Sequence, residues 1–156
     1  MVDLNGLDLA LTRLAPDLPP QSRRRLAATA RLESVTKGAT LLREGRATPY
    51  LGVVIDGRLA LHARVPGYPD ATLMTLDAGD IFGWSAVLDG TATASVVALE
   101  SGSVMLLERE ALLGAIAGDP GLAAGLYRRL LEAVASRLEA TRLQMLDLYR
   151  PGGTDR

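Results

Sequence analysis

Turns that contain glycine recur at short intervals between residues 38 and 102, and no other feature of the chain constrains its fold as strongly. They are centred on Gly38, Gly45, Asp56-Gly57, Pro66-Gly67, Gly79, Asp89-Gly90 and Gly102. Short segments rich in Val, Leu, Ile and Thr lie between these turns. Regularly spaced short strands with glycine turns are typical of a β-sandwich or a jelly-roll barrel. We therefore predict a β-barrel over residues 31–108.

Helical patterns flank the predicted barrel on both sides. Leu7–Leu14 is apolar at helical spacing, and Gln21–Ala30 predicts a second short helix after three intervening prolines. Arg109–Ala117 predicts another short helix beyond the barrel. We expect one mainly β domain over residues 1–156, with N-terminal helices in 1–30, the barrel in 31–108 and C-terminal helices in 109–149.

The last predicted helix is long. Asp119 is a typical N-cap, Pro120 suits the first helical position, and no further proline occurs before Tyr149. A seam of residues spaced alternately four and three apart runs along this helix. The seam consists of Tyr127, Leu131, Val134, Leu138, Thr141, Met145 and Leu148.

The seam has the a/d pattern of a coiled coil. Leu126 and Leu130 lie beside it and can pack on the barrel, so the helix has two apolar faces that need two covering surfaces. We therefore predict a homodimer through the C-terminal helix. The alternative is a helix that lies along its own domain with one broad apolar face.

Composition excludes several classes of function. The net charge of −1 means that the protein has no overall positive charge to attract nucleic acid. The chain has no cysteine and one histidine, which rules out Cys-ligated metals and most nucleophilic triads, and no Gly-x-Ser-x-Gly or Walker-type loop occurs. The N-terminus lacks the basic region of a signal peptide, and no apolar run approaches the length of a membrane span. We expect a cytoplasmic protein that is not an enzyme, with no metal site and no membrane contact.

Four motifs, three of which contain glycine, lie in the predicted barrel. They are residues 38–45 (Gly-Ala-Thr-Leu-Leu-Arg-Glu-Gly), 53–59 (Val-Val-Ile-Asp-Gly-Arg-Leu), 79–83 (Gly-Asp-Ile-Phe-Gly) and 94–98 (Ala-Ser-Val-Val-Ala). Together they resemble the cyclic nucleotide-binding domain of the catabolite-activator (Crp/Fnr-like) superfamily. The resemblance covers about residues 21–149. It implies a double-stranded β-helix (jelly-roll) barrel with a long C-terminal dimerisation helix, and a regulatory function in which cyclic AMP or cyclic GMP binds a phosphate-binding cassette at residues 79–95.

The resemblance also bears on the partner. The family's transcription factors continue past the long helix into a helix-turn-helix domain, whereas this chain ends seven residues after Tyr149. It looks most like the stand-alone sensor-domain proteins of the superfamily, which implies signalling to a partner protein without direct DNA binding. The alternatives are a chain cut before its DNA-binding part, and a regulator whose DNA-binding domain comes from a partner chain.

The cassette lacks the two charged groups that its family uses. In the family a Glu after the second glycine binds a ribose hydroxyl and an Arg neutralises the phosphate, whereas here Trp84 and Ala92 stand at those places. A charge-assisted hydrogen bond contributes roughly 1.5–3 kcal/mol, so the loss of both costs about 3–6 kcal/mol if they are additive. This corresponds to roughly 100- to 10,000-fold in affinity. Backbone N–H groups near Trp84 remain available to an anion.

The resemblance implies a set of ligand-binding residues. They are Gly83, Trp84, Ser85, Ala86, Ala92, Thr93, Thr141 and Arg142. Trp84 either stacks on a base or fills the cavity as part of the core. Thr93 stands where the family has a small hydroxyl on the phosphate. Thr141 stands where the family has a Thr that touches the purine across two subunits, or it is a polar seam position that sets helix register.

Two functions remain open at the level of sequence. The first is a small-molecule sensor, in which the ligand contacts the cassette and Thr141 and the final pair of helices then shifts. In this sensor Arg142 either adds positive charge to the site or is simply solvated. The second is a degenerate domain that no longer binds nucleotide and acts as an interaction and dimerisation module.

Overall fold

The computed structural model describes residues 4–150. Two helices, α1 (Leu4–Leu14) and α2 (Pro20–Ala27), precede the strands. The strands are β1 (Ala30–Val35), β2 (Thr40–Leu42), β3 (Tyr50–Asp56), β4 (Leu59–Ala63), β5 (Ala71–Leu76), β6 (Ile81–Phe82), β7 (Ser95–Ala98) and β8 (Gly102–Glu108). A short 3₁₀ helix (Trp84–Val87) lies between β6 and β7, and helices α3 (Arg109–Gly118) and α4 (Pro120–Leu148) follow β8.

The eight strands form two four-stranded antiparallel sheets. One has the order β1-β8-β3-β6 and the other the order β2-β7-β4-β5. Consecutive strands are rarely neighbours, because the chain crosses repeatedly between the sheets as a jelly roll requires. The predicted fold class, a mainly β jelly-roll barrel with flanking helices and a long C-terminal helix, is confirmed.

The central strands of the first sheet, β3 and β8, are buried on both faces, and this divides the core into two clusters. Adjacent residues of a strand point to opposite faces. In β3, Val53 therefore packs with the helices, in a cluster that includes Leu26, Leu112 and Leu126. Its neighbour Val54 packs into the barrel interior with residues of both sheets. The helices thus cover the outer face of this sheet, and α4 begins on that surface.

Glycine makes a close contact possible inside the barrel. Gly52 of β3 is directly opposite Phe82 of β6 in the antiparallel register. A Cβ atom at Gly52 would lie 2.1 Å from Cζ of the Phe82 ring, so only glycine fits there. The ring is fully buried and fills the space that the missing side chain leaves.

Most of the predicted turns have the backbone conformation that glycine favours. Positive φ angles occur at Gly38, Gly45, Gly57, Gly67, Gly79 and Gly90. Gly102 is the exception: it begins β8 and pairs with Val35. A Cβ there would lie 2.1 Å from the Asp56 carbonyl oxygen, so Gly102 allows a close approach of the backbone. The helix predicted to end at Ala30 ends earlier, at Ala27, because β1 begins at Ala30 and pairs with β8.

Helix α4 begins as its sequence predicts. A carboxylate oxygen of Asp119 accepts a hydrogen bond from the backbone N–H of Leu122 (3.0 Å), and Pro120 takes the first helical turn. The Asp119 carboxylate also accepts hydrogen bonds from the Ser22 hydroxyl (2.7 Å) and from the Arg25 guanidinium (3.2 Å). The N-cap therefore joins α4 to α2 as well as starting the helix. Within residues 4–150, no helix is long and apolar enough to span a membrane.

Candidate functional site

The chain turns within the cassette at the end of β6. Gly83 has φ +75°, a left-handed conformation that turns the chain from β6 into the 3₁₀ helix. A Cβ atom at Gly83 would lie 2.7 Å from the backbone oxygen of Tyr50. Both the left-handed backbone and this close contact therefore exclude a side chain at the position. The first N–H groups of the short helix, at Trp84 and Ser85, have no acceptor within the helix itself.

Hydrogen bonds attach the cassette to the loop between β2 and β3. The Ser85 hydroxyl lies 2.9 Å from the Thr48 hydroxyl, and both side chains are buried. The Thr48 N–H donates to the Gly90 carbonyl (2.7 Å), and the Ala92 N–H donates to the Arg46 carbonyl (2.8 Å). The cassette is therefore held as a rigid wall, and the Ser85 hydroxyl already has a partner.

A small cavity lies beside this wall, between the cassette and the barrel. It is lined by Leu42, Leu61, Gly83, Trp84, Ser85, Ala92, Thr93, Ala94, Val96 and Arg137. Its volume is about 20 Å³, enough for about one water molecule. A cyclic nucleotide does not fit into this conformation of the cavity, since sites for ligands of that size measure about 300–1,000 Å³.

Five of the predicted site residues line the cavity, and three do not. Gly83, Trp84, Ser85, Ala92 and Thr93 all line it. Ala86 is buried in the core cluster on the helix side, and its N–H donates to the Gly83 carbonyl (3.0 Å). Thr141 and Arg142 are exposed on α4 and do not line the cavity within one chain.

Of the two roles that the sequence left open for Trp84, the structure shows packing against the core, and stacking on a base stays a prediction. The Trp84 side chain is half-buried and packs against the core cluster on the helix side, yet it also lines the cavity. The guanidinium carbon of Arg137 lies 4.5 Å from the centroid of its ring. At this distance the cation and the aromatic face attract each other. Trp84 and Arg137 together close the cavity on the side of α4.

Arg137 is the site residue that the sequence reasoning missed. It lies on α4 and reaches the cassette, where its Nη2 donates a hydrogen bond to the backbone oxygen of Ile81. Its Nη1 is buried and has no hydrogen-bond partner among residues 4–150. A signal was present in the sequence, since the spacing of Leu126, Leu130, Ala133 and Arg137 continues the face of α4 that packs on the barrel.

Burial lowers the pKa of Arg137 without removing its charge. Desolvation lowers the pKa of its guanidinium to about 10, while the negative charge of Asp80 acts in the opposite direction. The group remains protonated at neutral pH. A positive charge is therefore present at the cassette, although it comes from α4 and not from the position of Ala92.

A second cavity lies on the other side of Arg137. It measures about 200 Å³ and lies between β5, β6 and α4. Its lining includes Asp80, Arg129, Glu132 and Ser136, so it is more polar than the cassette cavity. Arg137 lines both cavities and stands between them.

The predicted seam lies on a neighbouring face of α4, about 100° around the helix from Leu126 and Leu130, and is exposed in the single chain. Leu131 is 69% exposed, Leu138 59% and Met145 53%. The seam's Thr141 hydroxyl donates to the Arg137 backbone oxygen (2.9 Å), one helical turn earlier. The chain's own domain covers the face with Leu126 and Leu130, and leaves the seam uncovered.

Comparisons with known proteins agree with this geometry. The sequence profile of the family described as the cyclic nucleotide-binding domain matches residues 32–119, which span the barrel, the cassette and α3. No curated protein sequence matches the chain significantly. A cyclic nucleotide-binding domain from Methylobacillus flagellatus KT superposes with a TM-score of 0.82 at 23% identity, covering 94% of this chain and 86% of that one. This similarity concerns the fold.

Two further solved structures are regulators. The N-terminal domain of a transcriptional regulator from Streptomyces coelicolor A3(2) has 28% identity and a TM-score of 0.65, covering 85% of this chain and 93% of that domain. The catabolite activator protein of Thermus thermophilus has 28% identity and a TM-score of 0.68. That match covers 89% of this chain and 62% of the activator.

Proposed function

The chain belongs to the cyclic nucleotide-binding domain family, and from this premise we propose that it is a non-enzymatic sensor module. In this proposal the cassette binds a small anionic ligand, and cyclic AMP and cyclic GMP are the first candidates. Helix α4 then transmits the bound state, as one half of a homodimer, to a partner protein.

One observation carries the proposal: the helix that would transmit the signal forms part of the wall of the ligand cavity. Arg137 reaches from α4 onto the Trp84 ring and the Ile81 carbonyl. A ligand larger than one water molecule must displace this side chain to enter. Ligand and helix position are then coupled, because the ligand has different affinities for the two arrangements of Arg137.

The dimer is supported by the exposed seam of α4. Leu131, Leu138 and Met145 are more than half exposed and follow one face of the helix. A second copy packed on this face would cover them and would bring its own α4 next to Thr141 and Arg142. These two residues would then lie at the junction of two helices, where the family resemblance implies a contact with the ligand.

A second candidate function rests on the size of the cavity. Trp84 and Arg137 reduce it to about 20 Å³, which is the expected state of a domain that no longer binds nucleotide. In that case the barrel and α4 serve only as an interaction module. The two candidates differ in whether Arg137 leaves its position when ligand is offered.

Isothermal titration of the purified protein with cyclic AMP and cyclic GMP tests the choice, with 5′-AMP as the control ligand. We expect saturable heat with a micromolar dissociation constant for one cyclic nucleotide, and much weaker binding of 5′-AMP. Hydrogen exchange at residues 133–142 should change in the same titration, because α4 forms part of the cavity wall. No heat up to millimolar concentrations of either cyclic nucleotide would reject them as ligands and favour the interaction module.

A further inference from the structure

We propose that Arg137 is the anion-binding cation of the cassette, and that it replaces from α4 the arginine that is missing at Ala92. The ligand group that it binds is a phosphate ester or a cyclic phosphodiester. The inference rests on the proposed function, and it names Arg137 as the residue that couples the charge of the ligand to the position of α4.

The hydrogen bonding of Arg137 leaves room for an anion. A guanidinium has five N–H donors in a planar fork, which suits two oxygens of one phosphate. In Arg137, Nη2 donates to the Ile81 carbonyl and the plane lies over the Trp84 ring, but Nη1 is buried without a partner. A buried donor without an acceptor is costly, so an acceptor that enters the cassette gains an interaction that the chain itself does not supply.

The charge of Arg137 is also uncompensated at close range. In the part of the chain that the structure describes, no carboxylate lies within 4.0 Å of this guanidinium. Asp80 lies near enough to influence it, but its own carboxylate accepts a hydrogen bond from the Asp77 N–H (2.8 Å). A half-buried cation without an ionic partner favours the binding of an anion, since the attraction is stronger away from bulk water.

The position of Arg137 between two cavities explains how a ligand larger than water enters. The cassette cavity holds about 20 Å³ and the neighbouring cavity about 200 Å³, and Arg137 lines both. When the guanidinium exchanges the Ile81 carbonyl for a phosphate oxygen, it leaves the Trp84 face and the two spaces join. The anion then lies at the cassette, and the rest of the ligand extends along α4 towards Ser136.

Other nearby arginines do not combine these properties. Arg109 also has a buried nitrogen without a partner, Nε, but its Nη2 donates to the Leu88 carbonyl (3.3 Å) and the residue does not line the cassette cavity. Arg128 lies on α4, its side chain is 82% exposed, and it pairs with Glu132 at 3.4 Å. Arg128 is therefore a matched control, because it is an arginine on the same helix that does not line the cassette cavity.

Trp84 is the single tryptophan of the chain, so intrinsic fluorescence reports directly on the group that Arg137 covers. The test compares wild type, Arg137→Gln and Arg128→Gln in fluorescence titrations with cyclic AMP, cyclic GMP and inorganic phosphate. Displacement of the cation from the ring should change the Trp84 emission as wild type saturates. We expect Arg137→Gln to weaken binding about 10- to 150-fold, and Arg128→Gln to change it less than about 2-fold.

The outcomes separate this inference from the proposed function. Equal affinity of wild type and Arg137→Gln for a cyclic nucleotide would overturn the role of Arg137 and leave the sensor function intact. A response to phosphate alone that requires Arg137 would support the anion site and reject cyclic nucleotides as ligands. No response of wild type to any of the three probes would overturn both. If thermal unfolding shows that Arg137→Gln is not folded, Arg137→Met keeps the apolar stem over Trp84 and is compared in its place.

Discussion

The two faces of α4 are built from similar residues and have opposite environments. Leu126 on the inner face is completely buried, whereas Leu131 on the outer face is 69% exposed. The inner face continues to Arg137 at the cassette, and the outer face continues along the seam to Leu148. Apolar content alone therefore does not show which face the domain covers. The inner face thus forms part of the wall of the cassette cavity, and the outer face is left uncovered within the chain.

The largest expected effect concerns the stability that the inner face provides. Leu126→Ala removes a fully buried side chain and should lower the free energy of unfolding by about 2–5 kcal/mol. Leu143→Ala is the matched control, because Leu143 lies on the same helix, is 65% exposed and is outside the seam. We expect it to change the free energy by less than about 0.5 kcal/mol. Denaturant unfolding measures both, and similar losses would show that the faces are not distinct.

The next effect concerns association through the outer face. Leu131→Asp combined with Leu138→Asp places charges in the middle of the seam and should weaken the homodimer at least about 100-fold, or about 2.7 kcal/mol. The monomer should remain folded, since neither side chain contacts the barrel core. Sedimentation velocity over a range of concentrations measures the change. Leu143→Asp with Leu146→Asp carries the same charge outside the seam, and a similar loss in that variant would contradict the seam assignment.

The smallest effect concerns the N-cap, where both faces of the helix begin. Asp119→Ala removes the acceptor of the Leu122 N–H and the Ser22 hydroxyl, and should lower Tm by roughly 2–4 °C. Asp119→Asn keeps a capping oxygen and should lower Tm by less than Asp119→Ala. A larger decrease in Tm for the Asn variant than for the Ala variant would contradict the capping role.

The same N-cap gives a pH dependence of known sign. The Leu122 N–H and the Ser22 hydroxyl, with a smaller contribution from Arg25, hold the pKa of Asp119 below its ordinary value of 3.8. The stabilisation is therefore complete above that ordinary value and is lost as pH falls through the lowered pKa of the folded state. The difference in Tm between wild type and Asp119→Asn should be largest at neutral pH and should narrow below about pH 4. A constant difference across this range would show that the charge of Asp119 does not contribute.

The accuracy of the sequence predictions depended on how local each feature is. The Asp119-Pro120 start of α4 and most glycine turns are decided within a few residues, and the structure has them where the sequence indicates. Gly102 was assigned to a turn but begins β8, because its role is to let a distant segment approach. The cassette itself was found from a motif, whereas Arg137 belongs to no motif. Its role depends on Trp84, which lies 53 positions away.

The sequence by itself determined a β-sandwich or jelly-roll barrel and the existence of two apolar faces on one long helix. These follow from backbone conformations that only glycine or proline favours and from short periodicities, which act over a few neighbouring residues. The position of the cassette came from motifs that resemble those of the cyclic nucleotide-binding domain. The tertiary structure decided that Arg137 meets Trp84 and that the remaining cavity measures about 20 Å³. These depend on how side chains far apart in the chain share one volume, and the helical spacing that places Arg137 on the barrel side does not identify its partner.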